Sequence, residues 1–468
     1  MQTPTLYNPP DGGWGWAVTF GAFIVLFLAA GLPQCIGVFF FEFRRYYHAD
    51  AKQVSILGAL FFSMVFLLSP ISSAMANKIG TRPVVFLGGV ISMFGLVISA
   101  FASGIGFLCI SLGIITGFGC SLGMVPSMAI IGHYFNQKHS VASSMALTGP
   151  AFATIILPRL CSILIGKFGW RGSIIIVGAL MMNMCVGASF YRPAPMSTDK
   201  PRRHRYDDED TEDEVSDIES SLESLESTYT ANEKPKNIKR KICDLALCKD
   251  FYRYVMICIV FVFIGFAAAI AMSFLMPRAL AAGASRTKAG ILMAIVGIVN
   301  FISRIILGFL TKCVSPYKIF CIDIFIFAII SIGSTFGKAY IVLLLYAVVF
   351  GIFMATLGVL PPIIFRRMVG PDRFQSAMGL SMMCCGIGLL LGPIIGGSIV
   401  GNSGSFSAAI LLSGFVFLIS FSILLTEPCF EKCEFARDVE NATKEGFTED
   451  EIIEQLIVST PKHHMTKY

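Results

Sequence analysis

Charge is the scarcest feature of this sequence. Of 468 residues, 14% are Asp, Glu, Lys or Arg, against about 25% in an average soluble chain. Hydrophobic residues make up 55%, and no single water-facing domain of this size could bury that much apolar surface. The chain also lacks CxxC pairs, metal-ligand spacings and phosphate-binding loops. No nucleophile–base pair stands in its apolar runs, so neither an enzyme nor a cofactor is expected. The net charge of +6 is scattered between apolar runs rather than drawn into one stripe, which argues against nucleic-acid binding. A secretory leader is not expected either. The first apolar run is too long, and PPDGGWGW before it has no basic residue.

What remains is apolar helix. A span needs about 20 mostly apolar residues to cross roughly 30 Å of hydrocarbon. Twelve such runs lie near 17–41, 54–75, 83–103, 106–133, 141–166, 172–191, 252–276, 288–311, 318–336, 339–365, 376–400 and 405–425. The expected fold is an all-α membrane protein of twelve transmembrane helices in two six-helix halves. Residues 1–192 form the first half and 251–426 the second, followed by a tail at 427–468. Between the halves, 193–250 carries two prolines, basic clusters and the acidic, Ser-rich run DDEDTEDEVSDIESSLESLES. That composition cannot pack a core and predicts a disordered linker. Its Ser216, Ser220 and Ser221 lie among acidic residues; a solvating loop is the first reading and phosphorylation the second.

The halves resemble each other. QKHSVASSMALTGP is followed by Pro158 and, 20 residues on, Gly178; GPDRFQSAMGL is followed by Pro393 and, 21 residues on, Gly414. Two related halves place a binding site between them near the bilayer midplane. Short-loop charges leave the orientation undecided, but the basic clusters at the linker ends put the linker inside the cell. An even span count then makes both termini cytoplasmic, and the sequon at Asn441 stays unused.

Eight cysteines fall within apolar runs, where they act as small hydrophobes. Cys243, Cys248, Cys429 and Cys433 lie beside spans. They read as reduced thiols, with palmitoylation as the alternative.

A buried Arg costs about 2.5–3.5 kcal/mol on insertion scales, so each ionisable residue inside a span needs a reason. Arg304 is deep in the eighth span. Gly297, Asn300, Arg304 and Gly308 share one helical face. That small-and-polar stripe predicts a water-lined cavity in which a guanidinium meets a carboxylate. The plainer alternative is snorkelling to the headgroups. Arg159 follows Pro158 near the outer end of span 5. It reads as a snorkelling or carbonyl-bound residue, or as an outer selectivity charge for anions. Asp323, five residues past Lys318, predicts an interfacial ion pair more readily than a proton carrier. Gln34 follows Pro33 in a break of span 1. It either lines a cavity or bonds between helices. Trp14 and Trp16 suit an interfacial belt, and Asp11 suits a helix cap. His133 and His139 read as surface-near. TEDEIIEQL at 448–456 suits a short amphipathic tail helix.

PPDGGWGWAVTFGAF at 9–23 resembles the entry motif of the monocarboxylate transporters of the major facilitator superfamily. YFNQKHSVASSMALTG at 134–149 is similar to their second signature, and NKIGTRPVV, GWRGS and VGPDRFQSAMGL add matches. The resemblance implies rocker-switch alternating access and a carboxylate substrate held by Arg304. It places Phe61, Phe62, Ser143, Met354 and Gly358 at the cavity. It also implies, for some members, a single-span accessory glycoprotein. The departures are informative. Proton-coupled members carry a Lys in span 1 and an Asp one turn before the span-8 Arg; here those positions resemble Gln34 and Asn300. Neither amide titrates in the physiological range. Met354 in place of an aromatic and Gly358 in place of a Ser would widen the pocket.

The expectation is therefore a plasma-membrane carrier of monocarboxylates or larger amphipathic organic anions, with weak or absent obligatory proton coupling. Its rivals are proton symport of lactate-sized acids and a non-transporting receptor with a carrier fold.

Overall fold

The computed structural model describes residues 11–135, 138–192, 252–337 and 339–427. The linker, its serines, the juxtamembrane cysteines at 243, 248, 429 and 433, the sequon and the tail segment 448–456 lie outside these residues. Among the described residues there are eleven helices long and apolar enough to cross a membrane. One of them, His139–Ser189, has 51 residues. At 1.5 Å per residue that is about 76 Å, enough to cross twice. It turns at Gly169, where φ is 69°, a conformation that an L side chain adopts only with strain. The twelve spans are thus Gly15–Phe40, Ile56–Ile79, Thr81–Ala100, Ile105–Tyr134, the two arms of His139–Ser189, Arg253–Ala281, Lys288–Cys313, Pro316–Ser334, Tyr340–Gly370, Arg373–Ser403 and Phe406–Leu424. Spans 10 and 11 turn in the same manner at Gly370, φ 74°.

The fold follows from two kinds of helical face. Ile302, Ile305, Ile306 and Phe309 of span 8 are exposed, which suits lipid. The face carrying Gly297 and Gly308 instead meets Thr154, Ile155 and Ser144 of span 5. Small residues let the two backbones approach closely. Span 1 breaks into a helix, a 3-10 turn at Leu32–Cys35 and a second helix, as Pro33 predicts.

The two halves close on each other at the linker end. Ser73 donates to the Gln375 carbonyl at 2.6 Å, and Asn77 donates to Ser376 at 3.0 Å. Arg366 donates to the Phe135 carbonyl at 2.6 Å. The His139 ring meets Phe374 edge-on at 6.3 Å. Three of the sequence motifs, those at 77–85, 134–149 and 369–380, therefore build one gate. His139 corrects the expectation of a surface-near residue: it is near that end of the bundle but only 4% exposed, bonded to Ser143 at 3.2 Å.

Asp11 corrects another expectation. The first helix begins after Trp14 with no side-chain cap. Asp11 instead accepts the Lys138 backbone N–H at 3.1 Å, and its own N–H donates to the Tyr134 carbonyl. The opening motif thus pins span 1 to the turn between spans 4 and 5. Trp14 donates to the Phe190 carbonyl at 3.0 Å, and the Arg192 guanidinium lies 3.9 Å from the centre of its ring. Gly15 completes the staple, since a Cβ there would stand 2.9 Å from the Phe135 ring.

Candidate functional site

Arg304 is 7% exposed and lies where the halves meet. It sits nine residues from the linker-side end of span 8, about 13 Å in at 1.5 Å per residue. Its Nε donates to Asn300 Oδ1 at 2.8 Å, its Nη1 to the Leu147 carbonyl of span 5, and its Nη2 to the Met354 carbonyl of span 10 at 3.5 Å. A snorkelling side chain would reach for the headgroups; this one is bonded across three helices. No carboxylate faces it among the described residues. Every partner is a neutral oxygen, and neutral acceptors are weaker partners for a guanidinium than a carboxylate is.

Of the predicted cavity residues, Asn300, Met354 and Gly358 gather around this guanidinium. Gly358 sits so close that a Cβ there would stand 2.8–3.0 Å from three of its atoms. Ser143 lies one turn toward the gate from Leu147, bonded to His139. Gln34 is half-buried in the broken segment of span 1 and makes no hydrogen bond to Asn300 or Arg304. Phe62 is half-buried against Phe66, ring centroids 5.7 Å apart. Phe61 is not brought to Arg304. It is buried inside the first half, against the site of Gly117 in span 4. Arg159 is exposed and makes no hydrogen bond among the described residues, so the carbonyl freed by Pro158 does not hold it.

The water-lined stripe of span 8 needs correction. In this state Gly297, Asn300, Arg304 and Gly308 pack against span 5 rather than facing an open cavity. Asp323 needs correction too. It forms no ion pair with Lys318, which is exposed. It is 8% exposed and hydrogen-bonded to the Thr356 hydroxyl of span 10. Residues two apart on a helix face opposite ways. Span 10 therefore presents Met354 and Gly358 to Arg304, and Thr356, between them, to Asp323. The Thr356 oxygen also lies 2.8 Å from the Phe353 carbonyl. A hydroxyl has one proton to donate. Thr356 Oγ1 therefore faces two acceptors, the Asp323 carboxyl and the Phe353 carbonyl, and its single proton serves one of them at a time. The carbonyls of Leu147 and Met354, and the Thr356 partner, were not readable from sequence, because main-chain acceptors and cross-helix pairs leave no residue-type signal.

The geometry makes one prediction here. In Gly358→Ala the new Cβ displaces a flexible guanidinium tip rather than backbone, so stability should change by less than about 1 kcal/mol. Misplacing a binding group by a fraction of an ångström to 1 Å costs up to roughly 100-fold. If Arg304 holds a substrate carboxylate, uptake should therefore fall about tenfold with normal surface expression, measured as initial rates against substrate concentration.

Comparison with known proteins gives the family and the fold. The family model for the Major Facilitator Superfamily matches residues 18–336 and 255–450. Monocarboxylate transporter 12 of Rattus norvegicus is 30% identical over 425 residues, covering 89% of this chain and 86% of that one. Monocarboxylate transporter 2 of Homo sapiens is 30% identical over 474 residues, covering 96% and 95%. Among solved structures, the proton:xylose symporter XylE bound to 6-bromo-6-deoxy-D-glucose superposes with TM-score 0.66 at 12% identity, over 89% of this chain and 96% of that one. The transporter FucP in the outward conformation superposes with TM-score 0.60 at 15% identity, over 88% and 99%. These two share the fold. The chain belongs to the monocarboxylate transporters of the major facilitator superfamily: it is a membrane-spanning transporter and not an enzyme.

Proposed function

We propose that this transporter carries monocarboxylates or larger amphipathic organic anions by alternating access, without obligatory proton coupling. The observation that carries the reading is Arg304, a buried guanidinium at the junction of the halves whose partners are all neutral. A substrate carboxylate would replace weak carbonyl contacts with a charge-assisted, bidentate pair. Asn300, Gln34, Phe62, Ser143, Met354 and Gly358 would shape the site, with Phe61 behind its wall and Arg159 as an outer charge. The two proposed halves, 1–192 and 251–426, would rock about this point. With the linker and both termini cytoplasmic, the closed gate is the inner gate of the carrier. Residence in the plasma membrane, and delivery there by a single-span glycoprotein, belong to the same proposal.

The test is uptake into proteoliposomes at fixed membrane potential, with and without a pH gradient. Saturable uptake that is indifferent to the gradient is expected. Accumulation driven by the gradient alone would overturn the uncoupled reading, and binding without flux would overturn transport of the tested anion.

A second reading has one observation behind it. Asp323 of span 9 is a buried carboxyl held by the Thr356 hydroxyl of span 10, and span 10 also borders Arg304. If a gradient does drive accumulation, Asp323→Asn should abolish that dependence and leave exchange intact. Gradient-driven accumulation that survives in the variant would clear Asp323 of the role.

A further inference from the structure

The second half holds another buried arginine, which the carboxylate site does not use. Arg278 lies three residues before the end of span 7, at the end of the bundle away from the linker, and is 4% exposed. Its guanidinium donates to Ser334 Oγ at 2.9 Å and to the Ser334 carbonyl. Ser334, the last residue of span 9, donates in turn to the Ser331 carbonyl at 2.8 Å. Two further hydroxyls converge here. The Tyr346 phenol of span 10 is completely buried and lies near the guanidinium. The Ser331 hydroxyl lies beside that phenol. The two hydroxyls face each other, and neither completes a well-formed hydrogen bond with any other group among the described residues. Phe327 and Phe350, with ring centroids 5.6 and 6.1 Å from that of Tyr346, hold the phenol in place.

The charge is equally unbalanced. Arg278 makes no ion pair among the described residues. Of the two buried carboxyls of this half among the described residues, Glu427 pairs with Arg253, and Asp323 lies eleven residues before Ser334 along span 9, roughly 16 Å away at 1.5 Å per residue, engaged with Thr356. A buried unpaired cation and buried unpaired hydroxyls are each costly. A neutral ligand could satisfy the hydroxyls but not the charge. An anion satisfies both.

We propose that Arg278, Ser331 and Tyr346, joined through Ser334, form a site for a small inorganic anion such as chloride. The cluster lies among spans 7, 9 and 10, inside one half, rather than in the passage between halves. A halide accepts hydrogen bonds from any direction, which suits a guanidinium on one side and two hydroxyls on another. Occupancy would tie together the outer ends of three helices and leave Arg304, on span 8, free for substrate. The anion is therefore a bound partner of the second half, not a competitor for the carrier site.

The experiment uses the full chain in lipid nanodiscs. Its unfolding midpoint is titrated with sodium chloride against sodium gluconate at constant ionic strength, and binding of radioactive chloride is measured directly. A saturable rise in chloride only is expected. Arg278→Gln should abolish both signals. Tyr346→Phe removes one oxygen and keeps the packing, and should weaken chloride binding about tenfold or more. If Arg278→Gln does not fold, Tyr346→Phe and Ser331→Ala decide. Equal midpoints in chloride and gluconate for the unmodified protein overturn the proposal. So does chloride binding undiminished in the variants. Lactate binding that survives Arg304→Ala but not Arg278→Gln overturns the inorganic assignment.

Discussion

Arg304→Ala is expected to abolish carboxylate uptake while leaving the protein folded and at the cell surface. Truncating one partner of a buried, hydrogen-bonded charge pair costs about 2–5 kcal/mol, which is roughly 30- to 5,000-fold in rate or affinity. The fold should tolerate the change. In the substrate-free state Arg304 is bonded to an amide and two main-chain carbonyls, and removing a buried cation relieves its desolvation. Arg304→Lys separates charge from geometry. An ammonium keeps the charge but cannot form the planar fork, so partial uptake with raised KM is expected. Initial rates, normalised to surface-labelled protein, read both variants. Full uptake by Arg304→Ala would remove Arg304 from the substrate path.

How much of this was legible beforehand depends on whether the signal lies along the chain or across it. The twelve spans were legible because hydropathy is a one-dimensional property, and even the shared helix His139–Ser189 betrays its turn through Gly169 in GWRGS. Arg304 was legible because a cation inside an apolar helix has few explanations. Asn300 followed from the four-residue helical repeat. Asp323 was misread because its true partner, Thr356, lies 33 residues away on another helix, while Lys318 merely stands near in sequence. Arg278 carries no such signal, because a basic residue in the last turn of a span resembles an interfacial charge. Its burial depends on Ser334 and Tyr346, which the chain brings from spans 9 and 10. The opening motif was recognised, but its Asp11 was assigned to the wrong helix. The Lys138 N–H that it accepts is 127 residues away.

Asn300→Asp should convert the transporter into a proton-dependent one, the second large effect. The Asn300 amide oxygen is already 2.8 Å from Arg304 Nε, so an aspartate there needs no rearrangement to pair with the guanidinium. At an effective dielectric of about 20 and a charge separation near 4 Å, that pair is worth about 4 kcal/mol. The substrate carboxylate must then compete with a tethered carboxylate. Uptake at neutral pH should drop about 10- to 100-fold. Protonating the new aspartate ends the competition and frees the guanidinium, so acid on the uptake side should restore transport. Linkage works in both directions. A substrate that binds only when the aspartate carries a proton also makes the aspartate hold that proton while the substrate is bound. Carrier and cargo would then cross with it, and an imposed pH gradient should drive accumulation that the unmodified protein does not show. If transport is uncoupled as proposed, the neutral amide at position 300 accounts for it. Unchanged neutral-pH uptake in Asn300→Asp, with no response to acid, would show that position 300 does not touch the substrate's charge at all.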